Sequence, residues 1–168
     1  MNMTDLFLAE FEREAPLTRR TLERVPEGHY DFKPHPKSMP FGYLTELVAR
    51  LPSWVAMTIN QNELDLNPAA GRPKHPELRT SADLLRAYDE AVAAGRAALQ
   101  KTNDAHLLTH WKLLAGGHVV SDQPRHIVLR DGVMNHLAHH RGQLTVYLRL
   151  LGAHVPSIYG PSGDERTF

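Results

Sequence analysis

The sequence predicts an all-α protein, and the simplest arrangement of its helices is a four-helix bundle. Four segments carry apolar residues at the three-and-four spacing that places them on one face of a helix. Stretches rich in proline and glycine join these segments, in place of the alternating apolar and polar residues typical of strands. A length of 168 residues suits one hydrophobic core. We therefore expect a single domain over residues 1–168.

The first predicted helix spans Asp5 to Val25, and Pro16 lies inside it. A proline removes one backbone donor, so we expect a bend or a local interruption at this residue. The segment that follows, residues 26–40, is rich in proline and predicts a loop across one end of the molecule. The apolar stripe of the helix consists of Phe7, Phe11, Thr18, Leu22 and Val25.

The second predicted helix begins near Phe41, directly after Pro40, because a proline suits the start of a helix. Pro52 breaks the hydrogen-bond ladder of this helix, which predicts a kink near Leu51. Leu47 belongs to the inward stripe, together with Leu44, Val48, Leu51, Val55 and Thr58. A second loop rich in proline and glycine, residues 64–77, leads to the next helix.

The third predicted helix starts after Thr80 or Ser81 and carries Asp83 in its first turn, where a carboxylate suits the helix dipole. Its apolar stripe continues to Leu99, and small residues along it allow another helix to approach closely. The pattern changes over residues 104–120, where a Gly-Gly pair separates two apolar runs. This pair predicts a short β-hairpin between the third and fourth helices.

The fourth predicted helix covers roughly Pro124 to Leu151 and is followed by Gly152, a typical stop signal. The tail that follows contains too much proline and glycine to be helical throughout. We expect the tail to pack across the bundle through Val155, Ile158 and Tyr159.

The composition excludes several classes of function. Nineteen basic and nineteen acidic side chains give a net charge of zero without a basic cluster, which argues against nucleic acid as a partner. The absence of cysteine excludes a disulfide scaffold, a zinc-thiolate site and a cysteine nucleophile. No apolar run approaches the length of a membrane span, and the acidic N-terminal segment is unlike a secretory signal. We expect a cytoplasmic protein.

Two histidines lie on the inward face of the fourth helix. At about 100° per residue, His140 falls within the apolar arc, His136 lies at its edge and His139 points away. A buried polar side chain without a partner costs roughly 1–3 kcal/mol, so the pair needs a physical reason. Either the two rings bind one metal ion, or each forms a hydrogen bond that helps to fix the core. A catalytic metal site would need a third ligand from another helix.

The segment NHLAHHRGQLTVYLRLLG, followed by VPSIYGPSGDE, resembles the closing motif of the DinB family of DinB/YfiT-like four-helix bundle proteins. The segments PHPKSMPFGYL and LPSW resemble the second-helix region of that family. The resemblance implies a three-histidine site for a divalent metal such as nickel or zinc, often in a homodimer. His136 and His140 match two of the three ligands.

The sequence departs from the family pattern at the third ligand. The position that holds the first histidine of the family is Leu47 here, and a leucine side chain offers no lone pair. Glu46 is adjacent but lies about 100° around the helix. His29 and His35 in the long loop remain alternatives, although neither has a spacing that favours it.

The resemblance implies two functions between which the residues do not decide. The first is a metal-dependent enzyme, a transferase or hydrolase acting on a small molecule, in the manner of the thiol-dependent S-transferases of the family. The second is a bundle that has lost its metal and binds a small ligand or another protein. No catalytic residue is identified. Arg141 either orients an anionic substrate or forms a structural ion pair. Gly142 and Gln143 are interpreted as packing and hydrogen-bonding positions. The candidate dimer contacts are Trp54, Trp111 and the aromatic tail.

Overall fold

The structure is a computed structural model that describes residues 2–71 and 76–166, and it is mostly helical with a small three-stranded sheet. It is therefore not strictly all-α. The α-helices are α1 (Met3–Leu22), α2 (Phe41–Arg50), α3 (Ser53–Asn60), α4 (Ser81–Lys101), α5 (Asp104–Leu107), α6 (Arg125–Ile127) and α7 (His136–Leu150), with a π-helical segment (Val128–Asn135) before α7. The strands are β1 (Glu63–Asp65), β2 (His110–Ala115) and β3 (His118–Pro124).

Helix α1 runs without interruption past Pro16, which lies on the exposed side. The expected local interruption is therefore absent. Two side chains satisfy the free amides at the start of the helix, because Asn2 accepts from the amide of Asp5 and Asp104 accepts from those of Met3 and Thr4. This capping joins the N-terminus of α1 to the start of α5.

The predicted second helix consists of two helices, α2 and α3, which meet at Leu51 and Pro52. Proline cannot donate to the carbonyl of the preceding turn, so the chain starts a new helix at Ser53. The third predicted helix is confirmed as α4. The side chain of Thr80 accepts from the amide of Asp83 and caps it.

The predicted fourth helix is helical from Arg125 to Leu150 but is not one α-helix, and Pro124 belongs to β3. The short helix α6 leads into the π-helical segment, which spans eight residues before α7 begins at His136. A π-helix has wider turns than an α-helix, so it changes the direction in which carbonyl groups and side chains point.

The predicted hairpin is confirmed as β2 and β3, which pair antiparallel. Gly116 and Gly117 form its turn with φ values of 60° and 82°, which side chains other than glycine rarely adopt. The sequence did not predict β1, which pairs parallel with β2 and makes the strand order β1-β2-β3. The carboxylate of Asp65 accepts both glycine amides and ties β1 to the turn.

The core lies between the long helices. Helix α4 contacts α1, α2 and α3, while α7 packs on α1 and α2. Helices α3 and α4 approach closely at Gly95, where an added Cβ would lie 2.9 Å from the Phe11 ring and the Pro52 carbonyl oxygen. No helix in the described ranges is both long and apolar enough to cross a membrane.

The aromatic contact surfaces expected for a dimer need one correction. Trp111 is only 5% exposed, because its side chain lies on the inward face of β2, so it is not a surface residue. In the tail, Val155 is buried as predicted and Ile158 is half-buried. The ring of Tyr159 is largely exposed, but its hydroxyl group reaches the interior. Residues 72–75 of the second loop and the last two residues of the tail lie outside the described ranges.

Candidate functional site

His136 and His140 lie one turn apart on α7, and their rings meet. The distance between the two Nε2 atoms is 2.8 Å. His140 is buried and His136 is half-buried, while His139 is exposed, in agreement with the predicted faces of the helix. The structure therefore brings together the two side chains that the sequence selected.

The other nitrogen of each ring faces an oxygen atom. Nδ1 of His140 lies 2.7 Å from Oε1 of Gln143, and Nδ1 of His136 lies 3.2 Å from the carbonyl oxygen of Gly132. Because these oxygen atoms can only accept, a proton on each Nδ1 would satisfy both contacts. In that form, the lone pair of each neutral ring lies on Nε2 and points toward a common space. A hydrogen bond between the two Nε2 atoms instead needs a proton on one of them.

Two facing lone pairs at 2.8 Å repel each other unless a cation, either a proton or a metal ion, relieves the repulsion. Nitrogen atoms that occupy adjacent positions around an octahedral ion, with bonds of about 2.1 Å, lie about 3 Å apart. Metal-binding histidines usually donate their other ring nitrogen to an oxygen atom, and each Nδ1 here faces such an atom. The pair thus fits a divalent ion as a two-point ligand.

Burial affects the protonation of His140. Burial lowers the pKa of His140 below its ordinary value of 6.5, and the nearby His136 and His139 lower it further. The hydrogen bond to Gln143 opposes this effect. The net lowering favours the neutral ring, which is the form that can bind a metal.

The walls beside the pair are apolar. The Trp54 ring lies 5.4 Å from that of His136, and the Phe41 ring lies 6.3 Å from that of Tyr147. These contacts show that α7 runs antiparallel to α2 and α3. Leu47 lies between Phe41 and Trp54 along the chain, and its partly buried side chain packs against the core. The position at which the resemblance implies a third histidine is thus held by a hydrocarbon side chain.

The alternative third ligands are engaged elsewhere or exposed. Oε1 of Glu46 accepts from the amide of Leu78 at 2.9 Å, and Nδ1 of His35 accepts from the amide of Lys37. Both His29 and His35 are exposed in the loop before α2. In residues 2–71 and 76–166, no group of three or more histidine, cysteine, aspartate or glutamate side chains is arranged to hold a metal ion. The described chain thus supplies two donors.

Arg141 follows His140 in the chain but serves a different part of the molecule. Its side chain is 2% exposed and donates to the Glu14 carboxylate at 2.7 Å and to the Thr18 hydroxyl at 2.8 Å. It also donates to the hydroxyl of Tyr159. Of the two interpretations of Arg141, the structural ion pair is the one observed.

Sequence reasoning recognised Gln143 as a hydrogen-bonding position but did not assign its partner. The signal was its spacing, because a side chain three residues after His140 lies on the same side of a helix. The Gly132 carbonyl was missed altogether. Its position four residues before His136 gives no side-chain pattern from which a hydrogen bond to the ring is predicted.

Two surface depressions lie away from the histidine pair. One, of about 500 Å³, is lined by residues near the start of α1 and the end of α4, including Asp5 and Asn103. The other, of about 350 Å³, lies beside Lys101 and His106. Neither includes His136 or His140.

Comparisons with known proteins agree on one family. The model of the DinB family matches residues 1–167. The uncharacterized protein YrdA of Bacillus subtilis strain 168 is 26% identical over 164 residues, which are 96% of this chain and 90% of that protein. The crystal structure of a DinB-like protein from Bacillus cereus ATCC 10987 has a TM-score of 0.71 at 24% identity and covers 91% of this chain and 95% of its own.

The crystal structure of YjoA, a DinB-like protein from Bacillus subtilis, has a TM-score of 0.69 at 19% identity, and the match covers 96% of this chain and 99% of that one. The sequence identities of 24% and 19% to these two crystal structures establish similarity of fold. The match of the family model over nearly the whole length establishes membership, and the protein therefore belongs to the DinB family.

Proposed function

We propose that this DinB-family protein binds a divalent metal ion, nickel or zinc, through His136 and His140, and acts as a metal-dependent enzyme on a small molecule. The observation that carries the proposal is the 2.8 Å approach of the two Nε2 atoms, with each Nδ1 held by an oxygen atom. A packing role alone does not need two ring nitrogens brought this close together.

A bound ion would supply Lewis acidity, and the proposed reaction class is a transfer or a hydrolysis, with a thiol as a candidate co-substrate. The residues of this chain have separate tasks. His136 and His140 bind the ion, Gln143 and the Gly132 carbonyl orient the rings, and Leu47 with Trp54 excludes water from one side. Coordination positions of the ion that the protein does not fill are left open for the substrate.

The test is a calorimetric titration of nickel and zinc into protein prepared without a histidine tag. We expect about one ion per chain, and we expect His140→Ala to weaken binding at least tenfold because one donor is lost. His118→Ala is the matched control, since this exposed imidazole lies in β3, outside the pair. Equal affinity of the wild-type and His140→Ala proteins would contradict the proposal.

A second candidate function is favoured by Leu47. A leucine at the third position and the lack of a three-donor group among the described residues fit a bundle that has lost its metal and binds a small ligand or a protein. In that case the titration detects no ion even at excess metal. The two histidines would then be held by a shared proton and their oxygen partners.

We also propose that the protein is a cytoplasmic homodimer and that its long helices form the four-helix bundle implied by the family. The members of the bundle would be α1, the α2–α3 pair, α4 and the helical segment that ends in α7. Partly buried Trp54 and the exposed ring of Tyr159 in the tail are the candidate contacts that remain after the correction at Trp111. Light scattering at micromolar concentration tests the proposed homodimer, and the mass of a monomer would refute it.

A further inference from the structure

The break between α2 and α3 places the side chain of Trp54. Trp54 is the second residue of α3, which begins directly after Pro52. Its amide donates to the carbonyl of Leu51 at 3.0 Å, and the hydroxyl of Ser53 donates to the carbonyl of Arg50 at 2.7 Å. Bonds between residues three apart tighten the turn at which the new helix begins. The junction therefore fixes the direction in which the tryptophan leaves the helix.

The other end of α3 is also anchored. The side chain of Arg125, which is 2% exposed, donates to the carbonyl groups of Thr58 and Gln61. Ile59, in the last turn of the helix, is buried in the core. A side chain carried by an element that is held at both ends keeps its position more accurately than one on a loop. Helix α3 is thus a firm support for Trp54.

The indole ring of Trp54 packs against the imidazole of His136. The ring centroids are 5.4 Å apart and the planes are tilted by 58°, within the separation of about 4.5–7 Å typical of paired aromatic rings. The polar contact of this imidazole is the longer one, because Nδ1 of His136 lies 3.2 Å from its oxygen neighbour and Nδ1 of His140 lies 2.7 Å from that of Gln143. His136 is also the more exposed of the two histidines. The indole therefore restrains the ring whose polar contact is weaker.

The approach of the two Nε2 atoms to 2.8 Å depends on the orientation of both rings. An imidazole can turn about two side-chain bonds, and a turn of either ring moves its Nε2 atom away from that of the other. The contact with Trp54 limits this turn at His136 through the shape of the packed rings. It therefore acts in the same way whichever ring nitrogen carries a proton.

We infer that Trp54 is a positioning residue, whose indole ring holds the imidazole of His136 in the orientation at which its Nε2 atom meets that of His140. Gln143 restrains His140 from the same helix, whereas Trp54 restrains His136 from a different one. The consequence for metal binding rests on the proposed function. The orientation of the ring is a property of the metal-free protein and is measurable without an ion.

The first measurement is NMR of the metal-free protein. The wild type is expected to show nuclear Overhauser contacts between the indole protons of Trp54 and the ring protons of His136. Trp54→Leu removes the aromatic ring, and the His136 ring should then move more freely, as an exposed histidine such as His118 does. Trp54→Phe keeps an aromatic ring and is expected to retain most of the order. Trp111→Leu is the matched control, because it removes the other tryptophan, which is 5% exposed on β2, and so tests the loss of a buried indole elsewhere.

Nickel titration of the same variants is the second measurement. We expect Trp54→Leu to weaken binding about two- to tenfold, the effect typical of the loss of one aromatic pair. Trp54→Phe should retain most of the affinity. Trp111→Leu should bind nickel like the wild type at a temperature at which both are folded, even if it unfolds more easily.

The inference fails if the wild-type spectrum lacks contacts between the two rings, or if the His136 ring in folded Trp54→Leu keeps its wild-type order. It also fails if the wild type binds nickel and folded Trp54→Leu binds it equally well. If Trp54→Leu does not fold, the wild-type spectrum and Trp54→Phe decide. The outcome is separate from that of the proposed function. If the His136 ring responds to Trp54 but neither the wild type nor any variant binds nickel, the positioning role stands and the metal-dependent function fails.

Discussion

Arg141 and Glu14 form a buried ion pair between α7 and α1, with Nη2 2.7 Å from Oε2. The side chains are 2% and 11% exposed. The hydroxyl of Tyr159 donates to the same Glu14 oxygen at 2.7 Å, so the tail also takes part. The charges are compensated locally, and each is surrounded by hydrogen-bonding partners.

Removal of one partner of this ion pair should be costly. Glu14→Gln or Arg141→Met leaves a buried charge without its counterpart, which typically destabilises a protein by about 3–5 kcal/mol. The double variant should lose clearly less than the sum of the two losses, because it leaves neither charge. Urea unfolding of the four proteins measures this coupling. Additive losses would mean that the two groups do not interact in solution.

Leu47→His should strengthen metal binding. The new imidazole would stand at the position of the third histidine that the family resemblance implies, where it would add a third donor to the histidine pair. We expect nickel affinity to rise at least tenfold in calorimetric titration. Leu47→Asn is the control for the polarity of the new side chain. An unchanged affinity in a folded Leu47→His protein would show that residue 47 does not face the pair.

The tail should loosen in acid through Asp164. The Arg149 guanidinium and the backbone amide of Val155 hold the pKa of the Asp164 carboxyl at about 2, below its ordinary value of 3.8. Between these values the unfolded chain binds more protons than the folded protein. The stabilisation is therefore present above about pH 3.8 and is lost as the pH falls through about 2.

The measurement for Asp164 is the free energy of unfolding at several pH values from about 5 to 2. Asp164→Asn removes the titrating carboxyl, so its stability should fall less steeply over this range than that of the wild type. If the free energy of unfolding falls equally steeply with pH in the two proteins, carboxylates other than Asp164 determine the loss of stability in acid.

Two glycines on helices should respond oppositely to the same substitution. Gly95→Ala places a methyl group 2.9 Å from the Phe11 ring and from the backbone oxygen of Pro52, which cannot move freely. Overpacking of this kind costs about 1–3 kcal/mol. Gly142→Ala meets no atom within 4 Å and should stabilise α7 by up to about 1 kcal/mol through helix propensity. Thermal unfolding compares the two variants. Equal shifts in their melting temperatures would refute the close packing at Gly95.

The elements with strong local signals were predictable from the sequence. Helix α4 has an apolar stripe and a capping threonine, and the hairpin has a Gly-Gly turn between two apolar runs. The shared face of His136 and His140 follows from their spacing alone. The break between α2 and α3 was predicted as a kink, because proline marks the place but does not determine how far the helices diverge.

The remaining features depend on contacts between distant parts of the chain. Strand β1 has only three residues, too few for an alternating pattern, and it forms because β2 lies beside it. The π-helical segment differs from an α-helix in its backbone bonding, which hydrophobic periodicity does not encode. The choice of Glu14 as the partner of Arg141 required knowledge of how α1 packs against α7.

The attachments of α1 have a consequence for the rate of folding. Its first amides bond to Asp104, about a hundred residues later, and Arg20 donates to the Ser157 carbonyl, which lies 137 residues away in the chain. Contacts between residues this distant require closure of long loops, and the loss of chain entropy slows the search. We expect slower folding than in a bundle of similar size whose successive helices pack only on their neighbours. Until those loops close, the apolar stripe of α1 is open to aggregation or to capture by a chaperone.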